Sequence, residues 1–317
     1  MNMTQEREGT MKRLMQGLLA ASAILAAVPV SARAQDYDSY DRGPTRIDTV
    51  VPFSRGGTVE LSLLSGRIKV TGWDRQEVKV LATSEHAPLR FSASENRVSL
   101  EVERRGGEVQ YDVTVPRGTR LSLESLSGTI TATGVGGEIE AQSVSGSVQV
   151  NDAVGSVDAE SVSGGVSVSA ANGNVTAQST SGSVAVRNVT GDIEAESVSG
   201  GIALDGIRSS SVRTETVSGP VTYTGSIDAG GRYSFVTHSG VLRLNLPASV
   251  GAVFSVETYS GDIDSDFPVT MQPGQGRNSH DRFEFTIGNG KARVSAENFS
   301  GKIIINRVGD ANDRRND

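Results

Sequence analysis

The sequence has no cysteine and only three histidines, His86, His238 and His280, in 317 residues. Disulfides, thiol chemistry, lipid attachment through an N-terminal cysteine and a Cys/His zinc cluster are therefore excluded. Aromatic residues make up 5 % of the chain, with a single tryptophan, which leaves small aliphatic side chains to fill any core. After residue 34 no apolar run is long enough to span a bilayer. The formal net charge of −7 makes nucleic acid and anionic membrane poor partners. No serine lies in a G-x-S-x-G elbow between strand and helix.

Glycine is abundant, with 37 residues, and it is regularly placed. It falls at 128, 137, 146, 155, 164, 173, 182, 191 and 200, one every nine residues. Apolar residues return at the second, fourth and seventh positions after each glycine, as in Gly146, Val148, Val150 and Ala153. Alternate units differ, one kind beginning Ser-Gly and the other carrying Ala where the first carries Val, so the true period is eighteen.

At that spacing six apolar columns appear, headed by Ile130, Ala132, Val135, Ile139, Ala141 and Val144. Alternation is a strand signal, because side chains two apart share a face. A helix would need apolar spacings of three and four, and each interior glycine would cost it roughly 1 kcal/mol. Short strands joined by glycine corners and repeated in register predict an all-β parallel β-solenoid (β-helix). Its coils hold about 18 residues and stack at about 4.8 Å. An antiparallel meander gives no reason for like to recur at eighteen rather than nine. A hexapeptide helix would place corners every six residues, where this chain has none.

Outward columns are expected to carry Ser125, Ser143, Ser161, Ser179 and Ser197, continued by Thr216, and a second ladder of Ser127, Ser145, Ser163, Ser181 and Ser199. Their hydroxyls can link coil to coil or close the corner turn. Beside them Glu124, Gln142, Glu160, Gln178 and Glu196 alternate carboxylate with amide. Like charges on adjacent strands destabilise a sheet, so the alternation is what register-locked stacking selects.

In chain order, residues 1–34 read as a secretory signal peptide. Lys12 and Arg13 precede an apolar run from Leu14 to Val30 and the cleavage motif Ala32-Arg33-Ala34. Its removal takes the formal charge to −9. Residues 35–45 form a polar leader, 46–118 an N-terminal cap and first coils, 119–308 the β-solenoid, and 309–317 a disordered tail. A cap is expected because an open solenoid end exposes unpaired backbone and apolar core. Charged turns such as Arg104 to Gly107 join the longer strands of the cap. Toward the C-terminus the corner spacing relaxes through Ser218-Gly219, Ser239-Gly240 and Ser260-Gly261 to Ser300-Gly301. Coils there are expected to widen to about 20–21 residues around larger fillers such as Tyr223, Phe235 and Phe254. Residues 268–281 are expected to project as a loop.

Candidate chemistry is sparse. Asp262, Asp264 and Asp266 begin like a calcium loop, but Phe267 and Pro273 stand where that loop needs Gly and Glu. A solvated strand face is the expectation there. Glu138 with Glu140, and Asp192 with Glu194 and Glu196, could serve glycoside chemistry, yet they belong to repeating columns. His238, beside Ser239, reads as solvent-facing. No catalytic, cofactor or metal residue is assigned.

The serial S-V-S-G-x-V motifs, with Thr71-Gly72-Trp73-Asp74-Arg75 upstream and Val115-Pro116-Arg117-Gly118 before the first corner, carry a family likeness over residues 47–305. There the chain resembles a bacterial exported candidate-adhesin domain of unknown function, built from β-strand repeats. That resemblance implies a β-solenoid at the cell envelope and brings no catalytic residues. The function expected is an exported, non-catalytic envelope or surface protein, periplasmic, cell-surface or extracellular, that presents a regular face to an envelope polysaccharide or surface protein. The alternatives are a carbohydrate-active enzyme on a β-helix scaffold and an accessory protein for envelope-stress sensing.

Overall fold

In the computed structural model the described residues are 45–102, 107–268 and 281–308, all within the unit Arg42–Asp317. The signal segment, nearly all of the leader, most of the 104–107 turn and of the 268–281 loop, and the tail lie outside them. Twenty-four strands and no helix are found among the described residues. The N-terminal strands are β1 (Thr45–Pro52), β2 (Thr58–Trp73), β3 (Glu77–Ser84), β4 (Leu89–Ala93), β5 (Arg97–Val102) and β6 (Val109–Pro116). The regular region holds β7 (Arg120–Thr133), β8 (Ile139–Ser143), β9 (Val148–Asn151), β10 (Val157–Ser161), β11 (Val166–Ser169), β12 (Val175–Ser179), β13 (Val184–Arg187), β14 (Ile193–Ser197) and β15 (Ile202–Ile207). There follow β16 (Ser211–Ser218), β17 (Val221–Gly225), β18 (Arg232–Ser239), β19 (Leu242–Pro247), β20 (Ala252–Ser260), β21 (Ile263–Ser265), β22 (Asp281–Ile287), β23 (Ala292–Ser300) and β24 (Ile303–Val308).

The coil of eighteen is present. Ile139 stands in parallel register with Val157, Val157 with Val175, and Val175 with Ile193. These strands form a first parallel ladder, while Ile130, Val148, Val166, Val184 and Ile202 stack in a second. The step then widens, Ile193 pairing with Val212 and Val212 with Tyr233. Between the ladders lies a thin core of Ala141, Ala159, Ala177 and Ala195 facing Val and Ile, every one of them buried. Wider coils are filled by rings, with Tyr223 5.1 Å from Phe235 and 6.2 Å from Tyr233 between centroids.

Glycine is required at the Ser-Gly corners by closeness of the chain. A Cβ on Gly164 would lie 2.1 Å from the carbonyl oxygen of Gly146 one coil below. In the regular coils the left-handed backbone sits at the opposite corner, where Gly134, Asp152, Ala170, Asn188 and Gly206 share φ between 53° and 71°, while toward the ends the Ser-Gly corners at Gly66, Gly240 and Gly301 also have positive φ.

Two expectations are corrected here. The first serine ladder points inward: Ser143 and Ser161 are 5 % exposed and Ser179 and Ser197 fully buried. It continues as Thr216, Thr237, Asn298 and Thr258. The hydroxyls of Ser143, Ser161, Ser179 and Ser197 do both jobs open to them. Ser161 Oγ donates to Gly146 O at 2.8 Å and accepts from Gly164 N–H at 2.9 Å, tying the coil below and closing its own corner. Conversely the column of Val144, Val162, Thr180 and Val198, read as core, faces outward, with Val144 41 % exposed. The corner's glycine carbonyl and N–H need a buried polar partner, so the inward place goes to serine.

The ends depart from chain order. The corners at 239, 260 and 300 were expected to stack in sequence, but β23 and β24 stand between β18–β19 and β20–β21. The N-terminal end does the same, β2 lying between β5–β6 and β7. Antiparallel strands then close the stack, β4 on β5 and β3 on β6 with β1 beyond it, and β22 on β20 at the other end. Both ends are thus capped, where the sequence pointed to a cap only at the N-terminus. Unpaired backbone at an open parallel edge is a template for further pairing, and the antiparallel strands occupy it.

Candidate interaction faces

Each ladder presents outward every second residue, so parallel register turns those residues into columns. The first ladder carries three. One runs Ser122, Glu140, Asp158, Thr176, Glu194, Arg213, and the next Glu124, Gln142, Glu160, Gln178, Glu196, Glu215. The third, at the corner, runs Leu126, Val144, Val162, Thr180, Val198 and Val217, all exposed or half-buried. An apolar row therefore lies beside two acidic columns.

Carboxylate–amide alternation holds as far as Glu196, then fails, because Glu215 stacks directly on it. Arg213 bridges the break, its Nη2 2.9 Å from Glu215 and its Nε 3.5 Å from Glu194. The protonation of these groups follows the crowding. Burial first, then Glu194 and Glu215, push Glu196 up to about 7. Burial also raises Glu215 against the opposing pull of Arg213. Glu160 is raised by burial and by Asp158 and Glu140, and Asp158 by burial and by Glu140 and Glu138. The groups so raised all belong to the two adjacent columns of one parallel ladder, where carboxylates of the 138–140 and 192–196 segments repel their neighbours. Gln142 relieves one contact by donating to Glu140 at 3.0 Å.

The second ladder is uncharged through its middle. Its first outward column is Thr129, Ser147, Gly165, Ser183, Gly201, Pro220, and its second Thr131, Gln149, Ser167, Ala185, Ala203, Thr222. Charge appears only in the third, at Arg187 and Asp205, beside neutral contacts such as Ser169 Oγ donating to Asn151 at 2.5 Å.

The remaining candidates fall where exposure is high. Asp262, Asp264 and Asp266 are exposed around β21; Lys302 reaches Asp264 at 3.2 Å and Asp266 accepts the N–H of Arg307 at 3.1 Å. No group of three or more His, Asp or Glu is arranged to hold a metal among the described residues. His238 is exposed and stacks on Phe299. Phe299 stacks in turn on Tyr259, so three rings extend the corner row. Sequence order hid this stack, since it depends on β23 lying between β18 and β20. No helix among the described residues is long and apolar enough to cross a membrane.

Two parallel ladders closed by glycine corners, with repeated side chains outward, define a β-solenoid repeat scaffold. Within that class the chain belongs to the Toastrack DUF4097 family, whose model matches residues 46–222 and again 179–306. Among solved structures the chain is similar to a candidate adhesin from Parabacteroides distasonis (9 % identity, TM-score 0.45, 84 % of this chain and 98 % of that one). It is also similar to one from Bacteroides fragilis (12 %, 0.40, 82 % and 97 %) and to a candidate cell adhesion protein from Clostridium sporogenes (9 %, 0.23, 83 % and 100 %). The family assignment rests on the sequence match. No curated protein matches the chain.

Proposed function

We propose that the chain works after export as a non-catalytic, adhesin-like scaffold whose second ladder lies along a repetitive, uncharged envelope polymer. The observation that carries this reading is the outward face of the second ladder from β7 to β17, whose first two columns are uncharged and repeat hydroxyl, amide and methyl groups from coil to coil. Each contact on such a face is weak. Many equivalent contacts at one spacing become useful together when the partner is itself repetitive. Export is supported by the basic start, apolar run and Ala32-Arg33-Ala34 motif, and predicts a mature N-terminus at Gln35. Catalysis requires a few positioned groups in a concave site, whereas here the carboxylates with raised pKa belong to the repeating columns of the first ladder.

The test incubates residues 35–317 with cell-wall and exopolysaccharide preparations and measures co-sedimentation together with release of soluble sugar. Retention without release is expected. Release that disappears on substituting a single carboxylate would replace the scaffold with a carbohydrate-active enzyme.

A further inference from the structure

The corner row of the first ladder has no part in a polymer contact on the second. Val144, at 41 % exposure, stands among half-buried valines at the same outward position. At its C-terminal end Phe299 is 41 % and Tyr259 46 % exposed. His238, Phe299 and Tyr259 stack at 4.5 and 4.7 Å with planes within 8° of parallel. Phe299, between the other two, has both faces covered and meets solvent by its edge. Edges suit packing against aliphatic side chains, whereas a sugar platform offers an open ring face. Parallel register makes the row straight, and along one whole side run the columns of Glu140, Asp158, Glu160, Glu194, Glu196 and Glu215.

These features select the partner. A second copy offers no cationic column to meet the carboxylates, and an anionic lipid surface would be repelled by them. We propose that the row and its acidic flank are a docking surface for a cationic amphipathic helix of another protein. The helix's apolar stripe lies on the valines and ring edges, and its Lys or Arg flank lies over the carboxylates. The periods are compatible, one helical turn rising about 5.4 Å against a coil step of about 4.8 Å. An 18-residue helix, about 27 Å long, spans between five and six coil steps, roughly.

The probe is a synthetic 18-residue helix with a Leu stripe and a Lys flank, titrated against residues 35–317, which keep every described strand. Binding that weakens with salt is expected. Val162→Ser with Val198→Ser should weaken it by about tenfold or more, the equivalent of losing one well-packed contact. Glu160→Gln with Glu196→Gln should lessen the salt dependence, since two of the six flanking carboxylates are removed. The valine variant alters outward residues and should melt with the parent, the carboxylate variant should melt no lower than the parent, and both should retain the parent's cell-wall co-sedimentation, which reports on the other ladder. The inference is overturned by equal binding of a Leu/Glu helix, by unchanged affinity in the valine variant, or by equal partition onto zwitterionic vesicles. It is overturned also by a dimer in sedimentation velocity that the valine changes abolish, which would assign the row to a second copy.

Discussion

Gly164 shows how little room a coil leaves. The carbonyl of Gly146 occupies the place of its missing Cβ, so Gly164→Val must push two coils apart and is expected to cost more than about 4 kcal/mol, at the severe end for single substitutions. Ser167→Val, on the outward face of β11, should stay within about 0.5 kcal/mol, and thermal melts of the two variants check the contrast. Thr214 gives the opposite sign. It occupies the place held by alanine in the four coils before it, and its Oγ1 is buried with no hydrogen-bond partner among the described residues. Thr214→Val keeps the shape and removes a hydroxyl with nothing to bond. It should raise stability by about 1 kcal/mol, measured by denaturant midpoint. Periodicity revealed that corner glycines matter. It could not reveal whether closeness or a left-handed backbone demands them, since both produce the same regular glycine, and the left-handed position proved to be the column of Asp152, Ala170 and Asn188.

At the scale of the strand, register decides which charges meet. Gln142 and Gln178 separate Glu124, Glu160 and Glu196 by one coil each. Changing both to Glu makes six carboxylates, from Glu124 to Glu215, continuous at about 4.8 Å, each neighbouring pair costing somewhat under 1 kcal/mol in water. The melting temperature should fall at low salt and recover at high salt. Nature's own break in the alternation, Glu215 on Glu196, predicts a pH dependence. The folded chain holds Glu196 at about 7 against an ordinary 4.5, so across that window it keeps a proton that the unfolded chain gives up. Stability therefore falls as pH rises from about 4.5 to 7 and levels off above. With the side chain only half-buried, solvent screening holds the effect to about 1 kcal/mol. Glu196→Gln should flatten the slope and raise the melting temperature at pH 8. The strands and their spacing were legible in the sequence because a single repeat governs them. The direction of the two corner positions was not: serine at 143 and valine at 144 suggest the reverse of what the corner's hydrogen bonds impose.

At the scale of the whole stack, chain order and spatial order agree in the middle and part at both ends. Regular repeats announce their neighbours in the sequence, and so β7 to β17 could be placed from spacing alone. Nothing in the spacing of Ser260-Gly261 and Ser300-Gly301 tells which is nearer to Ser239-Gly240. The exchange has a consequence for trimming. A repeat protein ordinarily loses a terminal unit at modest cost, because that unit touches one neighbour. Here the final strands touch two. Ending the chain at Lys291 takes away β23 and β24 and leaves β18, β19, β20 and β21 each without the neighbour that β23 or β24 supplied. Excising residues 157–174 from the centre lets Ile139 meet Val175 in the same register. The central excision should retain cooperative unfolding with a proportionately smaller denaturant slope, whereas the truncation should lose it. The protein is in this sense fastened from both tips like a belt whose end is tucked under the previous turn: its length is adjustable at the waist and not at the buckle.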